Sequence, residues 1–297
     1  MFNPFGIPVI AVMKIRIVTE KQGWILHRMA MEIQSRLRNV RINEDWPDAD
    51  IHYYINYGYY RQRMPSGRIV ANFTHYDPDH LAEEFKRAAA EADHCIAISN
   101  HTADRLREVG VPDDQISVVL IGADEQFRPK LTLGIVGRVY PAGRKGDKLV
   151  QALLNDAVLM EGLQIVATSD DWGAPVWKFD SLADFYRSID YLLVPALIEG
   201  GPVPFMEALA CGTPSIAPPI GVIPDFPHIE YPAGDFEALH QRLIALKEEH
   251  LARKMELARH MAPYNWAHWA SEHERIFKQL LKKRSRQNQH RDSRAES

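Results

Sequence analysis

From residue 13 to residue 258 the chain alternates short apolar, β-branched runs with stretches of helical apolar spacing, and few folds accommodate that order. Strand patterns at 13–20, 49–57, 67–77, 94–100 and 116–122 are interleaved with helix patterns at 25–37, 80–93 and 101–110. After Phe127-Arg128-Pro129-Lys130 the series restarts, with strand patterns at 131–139, 163–169, 191–197 and 214–218 and helix patterns at 147–160, 181–188, 203–211 and 235–258. Alternation of this kind produces parallel sheets covered by helices on both faces. Pro129 can continue neither a helix nor a central strand, so this short segment reads as a hinge. The fold class expected is α/β, with two Rossmann-like doubly wound domains facing a central cleft. The boundaries expected are 1–128 and 129–265, then a helix at 266–283 returning toward the first domain and a basic, disordered tail at 284–297. A length of 297 residues suffices for two ordinary domains.

Composition narrows the function classes. A formal charge of −4 gives no reason to expect a nucleic-acid-coating surface over the whole molecule. The charge is uneven, however: Lys282, Lys283, Arg284, Arg286, Arg291 and Arg294 face only Asp292 and Glu296, so the tail carries +4 and the remainder −8. That tail is a candidate contact for an anionic membrane surface or for DNA, against the ordinary fate of terminal charge runs, which is solvation. Cys95 and Cys211 stand far apart and in no metal-ligand spacing, so no disulfide framework or metal site is expected and a reducing cytoplasm is the default location, with peripheral membrane contact through the tail as a variant. The apolar runs fall short of the roughly 20 residues of a membrane span. The opening MFNPFGIPVIAVM lacks a basic leader segment and reads as a loose extension before the first strand.

The chemistry concentrates in the second half. GIVGRVYPAGRKGDK (134–148) sets Gly137 and Arg138 at the end of a strand and Arg144, Lys145 and Gly146 just before a helix. Glycines let a ligand approach the backbone, and the cations suit a diphosphate. A solvated surface turn is the competing reading of this segment alone. In ALIEGGPVPFMEALACGTPSIAPPIG (196–221), Glu199 lies on the loop after a strand and Glu207 eight positions on, inside the next helix. Gly200 and Gly201 lead into that helix, whose first N–H groups have no intrahelical partners and can bind phosphate. Carboxylates on either side of such a site suit sugar hydroxyls, which donate hydrogen bonds. Phosphate between two hydroxyl-binding acids describes a nucleotide sugar, with ribose on one side and hexose on the other.

The segment EGGPVPFMEALACGTPSIA resembles the E-x7-E signature of retaining GT-B glycosyltransferases, in particular glycosyltransferase family 4. GIVGRVYPAGRKG is similar to that family's phosphate-binding strand and loop, and residues 92–129 resemble the segment that closes its N-terminal domain. The resemblance implies a GT-B fold with an N-terminal acceptor domain and a C-terminal donor domain. It implies transfer, with retention of configuration and without a metal or other cofactor, from a UDP- or GDP-linked sugar to an acceptor hydroxyl. By matching position, Glu199 is implied to bind the donor sugar and Glu207 the ribose, with Arg138 and Lys145 neutralising the leaving diphosphate. Amides near Gly201 and Val203 are implied to complete the anion site, and Val176 to Phe179 to lie against the nucleobase. In the first half, His75 matches a histidine facing donor sugar and acceptor, and Gly23 the small residue of the first loop.

The departures concern the donor more than the reaction. Gly201-Pro202 stands where the family has Phe-Gly, and Pro202 offers no N–H. Ile121-Gly122 replaces the usual Asn-Gly, and Thr168-Ser169-Asp170-Asp171 replaces a glycine-rich turn. The acceptor, whether saccharide, glycolipid, small metabolite or modified nucleobase, is left open by the compact first half. Asp77-Pro78-Asp79 has the form of a metal-binding D-x-D, but reads as a turn before a helix. Trp266 and Trp269 read as packing anchors of the final helix. A degenerate module that binds a nucleotide or sugar as a partner protein, without turnover, is the alternative that Pro202 keeps open.

Overall fold

A computed structural model describes residues 12–20, 23–61 and 63–295, with side chains described to residue 283. The opening segment 1–11 therefore lies outside the described residues, as do the side chains of the basic tail from residue 284 on. The chain divides into one compact unit made of Met1–Glu125 with Met261–Ser297 and a second made of Gln126–His260.

In the first unit β1 (Ile15–Val18) is followed by α1 (Ile25–Gln34), β2 (Val40–Ile42), β3 (Ile51–Tyr54), β4 (Arg68–Phe73), α2 (Ala82–Glu91), β5 (His94–Ala97), α3 (Asn100–Glu108) and β6 (Ile116–Val118). The second unit comprises β7 (Leu131–Ile135), α4 (Asp147–Leu154), α5 (Ala157–Met160), β8 (Leu163–Ala167), α6 (Leu182–Ser188), β9 (Tyr191–Leu193), α7 (Val203–Ala210), β10 (Ser215–Ala217), β11 (Ile229–Glu230) and α8 (Phe236–Arg259). The last helix, α9 (Trp266–Ala295), belongs to the first unit.

Among the described residues every strand pairing is parallel, in the orders β2-β1-β3-β4-β5-β6 and β11-β10-β9-β7-β8. Both units are thus doubly wound, as the alternation predicts. In each the winding reverses beside the first strand, between β1 and β3 and between β7 and β9. Crevices at the carboxyl ends of strands on either side of such a reversal are where doubly wound sheets bind ligands. The strand interiors read as continuous apolar runs because both faces are covered: Ile51 to Tyr54 are all buried, and Leu133 to Ile135 likewise.

Three details differ from the sequence expectation. The helix pattern at 147–160 is two helices, because Asp156 accepts from the Leu159 amide at 2.9 Å and starts a new N-terminus. β2 and β11 have only three and two residues, too few for a period to register. The final helix continues to Ala295 rather than ending at 283: the stretch contains neither glycine nor proline, and the arginines and glutamines spread through it carry good helix propensity whatever their charge.

Trp266 and Trp269 anchor α9 in the first unit's core together with Ile276 and Phe277. The Trp269 indole donates to the Met29 carbonyl at 3.3 Å. His273 is fully buried; its Nδ1 donates to the Trp269 carbonyl at 2.7 Å, which leaves Nε2 to accept from the Tyr53 hydroxyl at 2.8 Å. No described helix is long and apolar enough to cross a membrane.

Candidate donor site of the second unit

The site grows from the reversal between β7 and β9. Past the end of β7 the chain leaves the sheet through Gly137, whose positive φ of 103° suits glycine. The Gly137 carbonyl accepts from the buried Trp172 indole at 2.9 Å, and its amide donates to Thr168 Oγ1 at 3.3 Å. Arg138 follows, exposed to solvent. The loop then tightens through two turns closed by Gly143 N to Tyr140 O and Gly146 N to Gly143 O. These set the Arg144 guanidinium 4.7 Å and the Lys145 ammonium 5.8 Å from the centre of the Tyr140 ring.

Gly146 is the N-cap of α4 at a φ of 77°, and a β-carbon there would fall on the Pro195 carbonyl oxygen. That close approach laces the α4 loop to the chain leaving β9. The Leu197 amide donates to the Arg144 carbonyl at 2.8 Å. Beyond it, Gly221 at a φ of 55° braces the glutamate loop: an added β-carbon would lie 2.6 Å from the Glu199 carbonyl oxygen, and the Val222 amide donates to the Gly200 carbonyl at 3.0 Å.

This bracing brings Lys145 and Glu199, fifty-four positions apart, into an ion pair with side chains 25% and 11% exposed. Burial, and then the neighbouring Arg144, hold the Lys145 ammonium below its ordinary value. The pair lines a small pocket whose wall includes Val136, Trp172, Pro195 and Pro202.

The helix that carries Glu207 departs from the expectation in one respect. Its N-cap is Pro202, and Pro204 occupies its second position, so two residues at this N-terminus have no N–H to donate. The Phe205 amide is taken by the Pro202 carbonyl at 3.0 Å. The donors expected from the helix therefore reduce to those of Val203 and of Gly201 just before it, both on exposed residues. Gly200 and Gly201 have open space where a side chain would project. Glu207, half-buried about one turn further into the same helix, accepts from the Tyr186 hydroxyl at 2.7 Å. Burial, and then that carboxylate, push the Tyr186 phenol well above its ordinary value.

Val176 pairs with the last residue of β8, and the Trp177 amide donates to the Ala167 carbonyl at 3.0 Å, which sets this segment beside Thr168 and hence beside Gly137. Phe179 is 40% exposed and its ring lies 5.9 Å from that of Trp177. In the first unit, Gly23 has a φ of 114° just before α1. His75 is exposed after β4, with Nδ1 2.8 Å from Thr74 Oγ1. Asp77 is engaged as a turn former, accepting from the Asp79 and His80 amides at 3.1 and 3.2 Å. Sequence reasoning missed Trp172, Tyr186, Gly221 and Pro204; only Pro204 was legible, as a second proline in the helix entrance.

Two doubly wound units, the second with a cation–carboxylate pair at its winding reversal, place the chain among the α/β proteins that bind ligands at such a reversal. Residues 100–249, half of the chain, match the model of the group 1 glycosyl transferases, and the chain belongs to that family. It is 25% identical over 240 residues to a D-inositol 3-phosphate glycosyltransferase of Rhodococcus opacus, covering 62% of this chain and 53% of that one. A protein of the same description from Streptomyces bingchenggensis is 27% identical over 124 residues, 41% of this chain and 26% of that one. The chain thus spans about half the length, or less, of the curated relatives it matches. Among solved structures, Anabaena HepE in complex with UDP and glucose is 11% identical with a TM-score of 0.39, over 90% of this chain and 100% of that one. The lipopolysaccharide outer core galactosyltransferase WaaB is 16% identical with a TM-score of 0.35, over 90% and 100%.

Proposed function

We propose that this chain is a retaining, metal-independent GT-B glycosyltransferase that moves a sugar from a UDP- or GDP-linked donor to an acceptor hydroxyl. The observation that carries this reading is the juxtaposition of Lys145 and Glu199 at the β7/β9 reversal, with Glu207 on the helix that follows. A cation for diphosphate and a carboxylate for sugar hydroxyls are then adjacent, as a nucleotide sugar requires.

In this reading Lys145 and Arg138 meet the charge that develops on the diphosphate as the sugar leaves. The amides of Gly201 and Val203 add oriented donors, and fixed donors at a developing anion lower the barrier without a metal. Glu199 accepts from hydroxyls of the transferred sugar. Glu207 accepts from the ribose, and Val176 to Phe179 flank the base. His75 and Gly23 are assigned to the sugar and acceptor side by the family resemblance. The acceptor is a hydroxyl on a saccharide, glycolipid, small metabolite or modified nucleobase. The family's inositol-phosphate relatives make a polyol phosphate a fitting first candidate. A soluble location, with the basic tail touching an anionic membrane or DNA, belongs to the same proposal.

Calorimetric titration separates the two glutamates. Charge-assisted hydrogen bonds are worth about 1.5–3 kcal/mol each. Glu207→Gln is expected to weaken free UDP or GDP and the nucleotide sugar alike, by about tenfold or more. Glu199→Gln is expected to leave the free nucleotide nearly untouched while weakening the sugar-bearing donor and slowing its turnover. Equal losses of the bare nucleotide in both variants would mean that the sugar is wrongly placed, and no loss in either would remove the site. Wild-type donor binding with neither transfer nor donor hydrolysis would favour the non-catalytic module that the two prolines of the helix entrance suggest.

A further inference from the structure

The Glu207 carboxylate is held from inside the protein. Tyr186 on α6 is 1% exposed, and its hydroxyl donates to Glu207 Oε2 at 2.7 Å. The tyrosine is itself fixed. Its carbonyl accepts from the buried Thr213 hydroxyl at 2.8 Å, and its ring packs 6.1 Å from that of Phe185. Thr213 stands just past the end of α7, with its amide bonded to the Ala208 carbonyl at 2.8 Å. Tyr186, Thr213 and Glu207 therefore close a loop of contacts between α6 and the glutamate's helix.

A carboxylate has about four acceptor positions on two oxygens. A phenol that burial keeps protonated donates to that carboxylate at any ordinary pH. With Oε2 engaged by Tyr186, the side chain is fixed in one rotamer and Oε1 is left to accept from outside. We infer that Tyr186 is a positioning residue for donor recognition: it presents Glu207 to a vicinal pair of ligand hydroxyls and so makes the site select ribonucleotides over 2′-deoxyribonucleotides. This inference rests on the proposed reading of Glu207 as the ribose-binding acid. The tyrosine touches no ligand; it acts through the glutamate.

The test compares UDP and GDP, each with its 2′-deoxy counterpart, by calorimetric titration of the full chain carrying wild-type sequence, Tyr186→Phe or Glu207→Gln. Wild type is expected to bind the preferred ribonucleotide about 10–100-fold more tightly than its deoxy form, the range of one or two charge-assisted hydrogen bonds. Tyr186→Phe keeps the ring and removes the donor, and is expected to reduce that ratio to less than about threefold while weakening the deoxynucleotide little. A tyrosine that only holds α6 against α7 would weaken both nucleotides equally, and an unchanged ratio would overturn the inference. If Glu207→Gln leaves the ratio at the wild-type value, the ribose assignment itself has failed, a result distinct from failure of Tyr186 alone. Should Tyr186→Phe fold poorly, Thr213→Val decides: it keeps the phenol and frees the tyrosine's main-chain anchor, so the inference expects the ribonucleotide-to-deoxynucleotide ratio to fall below the wild-type value, and an unchanged ratio would refute it.

Discussion

Replacing Gly146 by alanine tests whether the close approach of two loops builds the site. The residue sits at a φ of 77°, where an L-residue costs roughly 1–2 kcal/mol. Its β-carbon would also fall on the Pro195 carbonyl oxygen, so the chain leaving β9 must move away. That movement strains the Leu197 N–H to Arg144 carbonyl bond of 2.8 Å, and such a bond contributes about 0.5–1.5 kcal/mol. Together these give an expected loss of about 1.5–3.5 kcal/mol. Urea unfolding followed by fluorescence would measure it, with Trp172 and Trp177 reporting on the second unit. Gly200→Ala and Gly201→Ala are the controls: open space surrounds both positions, so each is expected to change stability by less than about 0.5 kcal/mol. Because Lys145 precedes Gly146 and Glu199 follows the displaced segment, nucleotide-sugar affinity in Gly146→Ala should fall as well. A variant within about 0.5 kcal/mol of wild type, or controls that destabilise as much, would refute the argument.

Two further outcomes are expected. Transfer should survive an excess of EDTA, since Lys145, Arg138 and backbone amides are proposed to meet the diphosphate charge; activity lost to the chelator and restored by Mg²⁺ or Mn²⁺ would assign that work to a metal. Stability should fall on acidification. Burial holds both His273 and His94 at about 4, so the unfolded chain takes up these protons first; the contribution is complete above the ordinary histidine value of 6.5 and is lost as pH falls from there toward 4. Each is worth roughly 2 kcal/mol between about pH 7.5 and pH 5, and a flat unfolding free energy across that interval would contradict the assignment.

The fold was legible because both sheets are buried on both faces, which turns each strand into an apolar run that needs no alternation to be seen. β2 and β11 escaped because two or three residues carry no period. Glu199 and Glu207 were legible for a different reason: their spacing within one strand–loop–helix unit is local. The partnership of Lys145 with Glu199 is not local, and depends on Gly146 letting its loop close on Pro195. Tyr186 was hidden for the same reason. In sequence it is an apolar position of a short helix, and only the packing of α6 on α7 shows its hydroxyl reaching a carboxylate. The reach of α9 to Ala295 was misjudged because a charge run says where water is, not where a helix stops.

The Lys145–Glu199 pair explains how the site proposed for an ionic, hydroxyl-rich ligand can stay folded without one. An unpaired ammonium or carboxylate at this depth would carry a desolvation penalty, and breaking a buried pair by removing one member is strongly destabilising. Paired, each group satisfies the other. On the proposed reading a donor then exchanges partners rather than creating them: Lys145 turns from carboxylate to diphosphate, and Glu199 from ammonium to sugar hydroxyls. Each keeps a partner of suitable chemistry, so little net electrostatic energy is lost at the exchange. Glu207 stands apart from this exchange because its inner oxygen is already held by Tyr186. On that reading the ribose end of the site is fixed before a ligand arrives, while the sugar and phosphate end rearranges on binding. On the same reading the nucleotide sugar offers a partner to both members of the pair.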